Sequence, residues 1–182
     1  MPIQHASDKI LKAMGRRTNN AELRNIISKL RKEIPDICLR TTLITGFPGE
    51  TEEDHQILLD FIDEMEFDRL GVFTYSPEED TKAASLDNQV DEEVKLCRKD
   101  EIMELQQEIS MDKSERLVGK EIEVIIEGKA SDEDVYVGRS YMDAPSVDGY
   151  VFINSEEELM SGDFAKVRIV KAMEYDLIGD LI

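Results

Sequence analysis

The chain has 182 residues, a net charge of −19, two cysteines and two histidines. The sequence contains no run of about 18 apolar residues, the length needed to span a bilayer. Its first residues lack the basic and apolar segments of a signal peptide. Two cysteines are too few for a disulfide framework, and together with two histidines they are too few for an ordinary zinc or iron–sulfur site. We therefore expect a cytoplasmic protein with one large or two small domains and no metal ligands of its own.

The negative charge is unevenly distributed along the chain. Residues 1–50 carry +4, residues 51–118 carry −14 and residues 119–182 carry −9. An acidic surface repels nucleic-acid phosphates and attracts basic partners. On charge alone, a surface that only confers solubility is an equally good interpretation.

The first residues read as the end of a strand that enters a loop, followed by a short helix from Asp8 to Met14 with Ser7 as its cap. A chain that starts at a strand end is expected to be preceded by further sequence. The next helix is predicted over residues 21–33, capped by Asn20 and ended by Pro35, because its apolar residues recur with helical spacing.

The central stretch, residues 37–51, is predicted to form a strand, a glycine-containing loop and the start of a helix. Thr51 and Asp54 have the spacing of a capping box for this helix, which is expected to end near Glu66. Strand, loop and helix make up the half-unit of an α/β barrel or doubly wound sheet, in which the loops at the carboxyl ends of strands carry the chemistry. The Gly46–Gly49 loop is thus a candidate ligand wall, with an ordinary tight turn as the alternative.

A second strand, residues 70–75, and a polar loop, residues 78–89, precede a long charged helix over residues 91–116. The apolar side of this helix is expected to contain Cys97, so a buried structural thiol is predicted there and also at Cys38. His55 lies off the apolar stripe of its own helix and is interpreted as a solvated or rim residue rather than as a ligand.

From Leu117 onward the apolar period changes to two, which indicates strands. Five short strands are predicted, with Asp148-Gly149 as a hairpin signal between two of them. Five strands in about 65 residues point to a small closed β-barrel.

Residues 2–14 and 39–51 resemble the later part of radical S-adenosylmethionine (SAM) methylthiotransferases, and residues 119–182 resemble their TRAM domain. The resemblance implies an α/β plus all-β protein. Residues 1–90 would form the C-terminal part of a partial radical SAM (β/α) barrel, residues 91–118 a connecting helix, and residues 119–182 a five-stranded OB-like barrel.

The stretch Gly138–Gly149, with Asp-Ala-Pro followed by Asp-Gly, is similar to the subfamily that modifies an aspartate of small-subunit ribosomal protein twelve. An acidic TRAM domain also suits a basic ribosomal protein, or the ribosome, better than a phosphate backbone. A fragment of a transfer RNA methylthiotransferase and a non-catalytic TRAM module that binds RNA or the ribosome remain alternatives. The basic residues Lys12, Arg16 and Arg17 keep RNA binding open.

The resemblance implies SAM and two [4Fe–4S] clusters as cofactors, with hydrogen abstraction from the substrate carbon by a 5′-deoxyadenosyl radical. The Cys-x3-Cys-x2-Cys motif of the family is absent from this chain. We therefore expect the chain to be inactive alone and to need the missing N-terminal half of the same protein. No catalytic residue is assigned.

Residues at the carboxyl ends of the predicted strands are the candidates for the SAM-site wall. Arg40 and Thr42 share one face of the central strand, and a buried arginine there would need either a carboxylate of a cofactor or substrate or an internal acidic residue. The candidates are Gln4, His5, Ser7, Arg40, Thr42, Gly46, Phe47, Pro48, Gly49 and Tyr75.

Acidic residues of the TRAM domain are the candidates for docking a basic substrate. They are Asp143, Asp148, Glu156, Glu157 and Glu158. Solvated acidic turns are the alternative interpretation for each of them.

Overall fold

The computed structural model describes residues 1–130 and 134–182, which divide into two units, Met1–Ile109 and Ser110–Ile182. Among these residues no helix is both long enough and apolar enough to cross a bilayer. The elements in chain order are α1 (Asp8–Ala13), α2 (Asn20–Glu33), β1 (Arg40–Thr45), α3 (Glu52–Met65), β2 (Arg69–Thr74), α4 (Glu92–Glu115), β3 (Glu121–Lys129), β4 (Val135–Ser140), β5 (Val151–Asn154), β6 (Phe164–Ala172) and β7 (Leu177–Leu181).

The first unit is built on a parallel pair of strands. β1 and β2 run in register from Arg40 opposite Arg69 to Thr45 opposite Thr74, and Gln4 adds an isolated parallel bridge to Leu43. Parallel strands need a crossover connection, which α3 provides. The predicted βα repeat is confirmed, with strands that begin and end within a few residues of the expected positions.

Apolar side chains of the helices cover one face of this strand pair. Leu43, Leu58 and Phe61 are fully buried in the shared core. α3 begins with the predicted capping box of Thr51 and Asp54, whereas the cap of α2 is Asn19, not Asn20, and forms a capping box with Glu22. Ser7 occupies the cap position of α1 but makes no side-chain capping bond.

Three sequence-based expectations about single side chains are wrong. His55 is buried, and its Nε2 lies 2.8 Å from Glu101 Oε2 of α4. Cys97 is exposed and Cys38 only half-buried. A hydrogen bond to Glu101 and the charge of that carboxylate raise the pKa of the Cys97 thiol. The polar partner on a neighbouring helix decides the position of His55, and no apolar periodicity could indicate it.

The second unit is a closed barrel with strand order β3-β4-β5-β7-β6. All neighbouring pairs are antiparallel except β5 and β7, which are parallel. Alternate residues of the strands face inward and form a separate core, which includes Val124, Ile153 and Val167. The predicted five-stranded barrel is therefore confirmed.

β4 and β5 are consecutive and antiparallel, so the predicted hairpin is present, but the Asp148-Gly149 pair does not form a tight turn between them. β4 ends at Ser140 and β5 begins at Val151, so a broad loop joins the two strands. Gly149 instead allows a close backbone approach, since a Cβ there would overlap the carbonyl oxygen of Tyr175.

Candidate functional site

The Gly46–Gly49 loop directly follows β1. Gly46 and Gly49 have φ values of 72° and 84°, in the left-handed region that favours glycine. Phe47 is buried and packs edge-on against Tyr75, which follows β2, with ring centroids 5.2 Å apart. The carboxyl ends of the two parallel strands thus meet through an aromatic pair.

A buried carboxylate, Glu50, fixes the backbone of this loop. Its Oε2 accepts hydrogen bonds from the backbone N–H of Gly46 at 2.7 Å and of Phe47 at 3.1 Å. Its Oε1 accepts hydrogen bonds from Thr45 Oγ1 at 3.3 Å and from Nη1 of Arg98 at 3.1 Å. Because bonds to an ionised acceptor are stronger than neutral ones, these contacts order the loop without any ligand.

His5 lies beside the same carboxylate and is fully buried. Its Nδ1 accepts the N–H of Ser7 at 2.9 Å, so the proton of the neutral ring sits on Nε2, 3.6 Å from Glu50 Oε2. Burial alone would raise the pKa of Glu50. The neighbouring His5 side chain, the Arg98 charge and the Phe47 N–H together outweigh burial and lower the pKa of Glu50, so Glu50 is ionised at neutral pH.

A cavity of about 580 Å³ opens beside the Phe47–Tyr75 pair. The Tyr75 hydroxyl is buried and has no hydrogen-bond partner among the described residues. A buried hydroxyl without a partner is unfavourable, so a ligand with a polar group at that point would gain binding energy. The cavity is mostly apolar and is lined by Gln4, Ala13, Met14, Gly15, Arg16, Ile44, Phe47, Phe73, Thr74, Tyr75, Ser76, Lys82 and Ala83.

The candidate cofactor residues fall into distinct environments. Gln4, Phe47 and Tyr75 line the cavity. The other loop residues do not line the cavity: Pro48 is buried, and the Gly49 N–H donates to the carbonyl of Asn88 at 2.7 Å.

Arg40 is not the buried arginine that the sequence allowed for. It is exposed at the first position of β1, and Thr42 two residues later is half-buried. Because Arg40 is exposed, it is not a buried charge of the kind that would require a ligand carboxylate.

Ser7 belongs to a different cluster, centred on Asp54 at the start of α3. Asp54 accepts hydrogen bonds from Ser7 Oγ at 2.6 Å, Lys9 Nζ at 2.5 Å and the Thr51 N–H at 2.9 Å. Burial opposes ionisation of this carboxyl, but those bonds outweigh it and hold its pKa well below the usual range. A second cavity of about 520 Å³ adjoins the cluster. Both oxygens of Asp54 already accept hydrogen bonds, however, so this residue completes the capping box of α3 and ties α1 to α3.

The candidate docking residues of the barrel unit also separate into two groups. Asp143 is buried and accepts a hydrogen bond from Ser140 Oγ at 2.6 Å, and Asp148 accepts one from the Ala144 N–H at 2.6 Å. These two carboxylates organise the loop between β4 and β5. Glu156, Glu157 and Glu158 are exposed, and their carboxylates face solvent.

Three residues of the site were missed by the sequence-based reasoning: Glu50, Lys95 and Arg98. Lys95 and Arg98 are 2% and 6% exposed, although α4 was expected to bury its apolar stripe. A lysine and an arginine three positions apart lie on one face of a helix, but only the position of Glu50 shows that this face is internal.

Each of the two units matches the model of a known protein family. The model of the radical SAM superfamily matches residues 1–62, and the model of the TRAM domain matches residues 118–182. The first match covers β1, the Gly46–Gly49 loop and most of α3, and the second covers the closed barrel.

Similar curated proteins carry the name ribosomal protein uS12 methylthiotransferase RimO. The protein from Lachnoclostridium phytofermentans is 60% identical over 98% of this chain and 41% of its own length. Those from Pelotomaculum thermopropionicum and Acetivibrio thermocellus are 54% and 51% identical over 100% of this chain and 41% and 40% of their own lengths.

The chain spans about two fifths of the length of the curated relatives that it matches. Identity extends across the strand pair with its loop and across the barrel, in the order in which the two family models match. Over nearly its whole length the chain is therefore similar to proteins named RimO, with a radical SAM match in its first unit and a TRAM-domain match in its second.

Proposed function

We propose that the chain is part of a radical SAM methylthiotransferase that methylthiolates the β-carbon of an aspartate in ribosomal protein uS12. The observation that carries this proposal is identity of 51% to 60% with proteins of that name over nearly the whole chain. We infer that the protein works in the cytoplasm, because the two free cysteines agree with a reducing compartment.

The first unit supplies part of the SAM-site wall in this proposal. The cavity beside Phe47 and Tyr75 is apolar enough for an adenine ring, and the buried Tyr75 hydroxyl offers one hydrogen bond to a polar atom. When bound, SAM supplies the radical that abstracts hydrogen and the methyl group that is transferred. Phe47 and Tyr75 contact and orient it, and Gln4 adds a polar amide at the rim.

The iron–sulfur clusters do not fit the residues of this chain. A [4Fe–4S] cluster needs several thiolates, and the chain has only Cys38 and Cys97. The described residues contain no group of three histidine, cysteine or acidic side chains that could bind a metal. The cluster ligands must therefore come from the remainder of the protein, and this chain alone is expected to be inactive.

The barrel unit docks the substrate in this proposal. Residues 119–182 sum to −9, and Glu156, Glu157 and Glu158 are exposed. An acidic surface of this kind attracts a basic ribosomal protein and repels RNA.

The activity is tested with the full-length protein, anaerobically reconstituted with iron and sulfide, and incubated with SAM, a reductant and uS12. Mass spectrometry of uS12 is expected to locate a methylthio group on one aspartate. Modification of a transfer RNA instead of uS12 would overturn the proposed substrate.

The docking role is tested by binding of the chain to uS12 and to transfer RNA across a salt series. We expect salt-sensitive binding to uS12 that weakens when Glu156, Glu157 and Glu158 are replaced by Gln. A matched variant, with Glu104→Gln, Glu108→Gln and Asp112→Asn in α4, loses the same charge at other exposed positions and should bind normally. Binding to RNA with a steep salt slope would contradict the docking role.

A further inference from the structure

The first two turns of α4 bury their cations and expose their apolar residues. Lys95 and Arg98 are 2% and 6% exposed, whereas Val94 and Leu96 are 38% and 53% exposed. Burial of a lysine and an arginine is costly unless both charges are paired. An arrangement that reverses the hydrophobic pattern of the helix therefore indicates that these charges meet specific acceptors.

Arg98 meets the carboxylate that fixes the Gly46–Gly49 loop. Its Nη1 donates to Glu50 Oε1 at 3.1 Å and to the Glu50 carbonyl at 3.3 Å, while Nη2 donates to the exposed Glu52 at 3.4 Å. The other oxygen of Glu50 accepts the N–H groups of Gly46 and Phe47. Arg98 thus orients a carboxylate whose second oxygen sets the path of the loop.

Lys95 contacts both strand ends. Its Nζ donates to the Tyr75 carbonyl at 3.0 Å and pairs with Glu92 at 2.6 Å. Its methylene stem packs directly over Gly46, where a Cβ would overlap the Lys95 Cγ. One helical face therefore contacts the loop after β1 and the residue after β2.

We propose that Lys95 and Arg98 are positioning residues for the wall of the cavity beside Phe47 and Tyr75. Arg98 sets the orientation of Glu50 and so of the loop amides, and Lys95 sets the spacing between Gly46 and Tyr75. Neither residue lines the cavity. The identity of the ligand as SAM rests on the proposed function, whereas the effect on the wall is independent of it.

The test uses three variants, Arg98→Met, Glu50→Gln with Arg98→Met, and Lys95→Met, with Lys99→Met as the control on the same helix. Amide hydrogen exchange is measured by NMR in this chain without ligand, and SAM affinity is measured by equilibrium dialysis with the full-length protein. The Gly49 amide serves as an internal reference, because it is bonded to Asn88 and not to Glu50.

In Arg98→Met we expect the Gly46 and Phe47 amides to exchange at least about tenfold faster, as loss of a charge-assisted hydrogen bond implies, while Gly49 and Leu43 stay protected. The double variant removes both buried charges. We expect the double variant to recover the free energy of unfolding of the unsubstituted chain, because no unpaired charge stays buried. The Gly46 and Phe47 amides should still exchange fast, which would distinguish a positioning role from a role in compensating buried charge.

We expect SAM affinity to fall about tenfold in Arg98→Met, in the double variant and in Lys95→Met, and to stay unchanged in Lys99→Met. The inference is overturned if the double variant regains full loop protection and wild-type affinity, or if all amides of the first unit exchange faster together. If the unsubstituted protein binds no SAM, the proposed cofactor wall fails, and the exchange pattern alone decides whether the positioning role stands.

Discussion

Two buried carboxylates four positions apart, Glu50 and Asp54, have different roles at the same strand–helix junction. Glu50 orders the loop amides through one oxygen and contacts Arg98 through the other. Asp54 completes the capping box of α3 with Thr51 and accepts hydrogen bonds from Ser7 and Lys9. At the residue scale, the neighbours of each carboxyl stabilise its ionised form.

Glu50→Gln should lower the free energy of unfolding of the first unit by about 3–5 kcal/mol, because it leaves the Arg98 charge buried without its main counter-charge. Glu52→Gln is the matched control, since Glu52 also lies 3.4 Å from Arg98 but its side chain is 82% exposed. We expect that variant to cost less than about 1 kcal/mol. Urea unfolding measures both, and equal costs would contradict the assigned role of Glu50.

Lowering the pH should decrease the free energy of unfolding of the first unit. Both carboxyls have lowered pKa values in the folded chain, so their stabilisation is complete above the ordinary values of 4.5 for Glu50 and 3.8 for Asp54 and is lost as the pH falls below them. The free energy of unfolding, measured from about pH 6 down to about pH 3, should decrease less in Asp54→Asn than in the unsubstituted chain. An unchanged slope would mean that Asp54 titrates alike in the folded and unfolded states.

At the scale of elements, the loop after β1 is determined by the helix that packs on it. Gly46 and Gly49 both have a left-handed backbone, and the sequence marks them equally as turn residues. The structure distinguishes the two glycines: a Cβ at Gly46 would overlap Lys95, whereas the described residues leave space for a Cβ at Gly49.

Gly46→Ala should therefore destabilise the first unit more than Gly49→Ala does. The left-handed backbone costs each alanine about 1–2 kcal/mol, and overlap with Lys95 adds a steric cost only at Gly46. Thermal unfolding of both variants tests this difference. In a Lys95→Ala background, Gly46→Ala should destabilise the first unit about as much as Gly49→Ala does. If the difference between the two destabilisations stays the same, Lys95 is not the cause of that difference.

At the scale of the whole molecule, the described residues form two hydrophobic cores with no residue in common. One is centred on Leu43, Leu58 and Phe61, and the other fills the barrel around Val124, Ile153 and Val167. Each unit buries its own apolar surface, which is the main stabilising term in folding.

Leu58→Ala and Ile153→Ala should each cost about 2–5 kcal/mol, since both side chains are fully buried and each substitution leaves a cavity. We expect amide exchange to accelerate in α3 and β1 for Leu58→Ala, and in the barrel strands for Ile153→Ala. The exposed Ile57→Ala variant is the control for the first unit. Acceleration of both units in either variant would show that they unfold as one.

The sequence by itself determined the elements whose signals are local. The capping box at Thr51 and Asp54, the glycines around Phe47 and the alternating pattern after Leu117 depend on neighbours a few residues away. The resemblance of residues 2–14 and 39–51 to radical SAM methylthiotransferases likewise rested on short contiguous stretches. These predictions of fold and family are confirmed.

Only the tertiary structure decided which polar side chains are internal. Periodicity ranks residues by hydrophobicity, so it placed Cys97 inside and His55 outside, and it gave no role to Lys95, Arg98 or Glu50. A buried charge is stable only when a partner distant in sequence compensates it, as Glu50 does for Arg98 across 48 positions. That compensation is a property of the packed fold, which is why the ionic support of the candidate site could not be derived from local sequence.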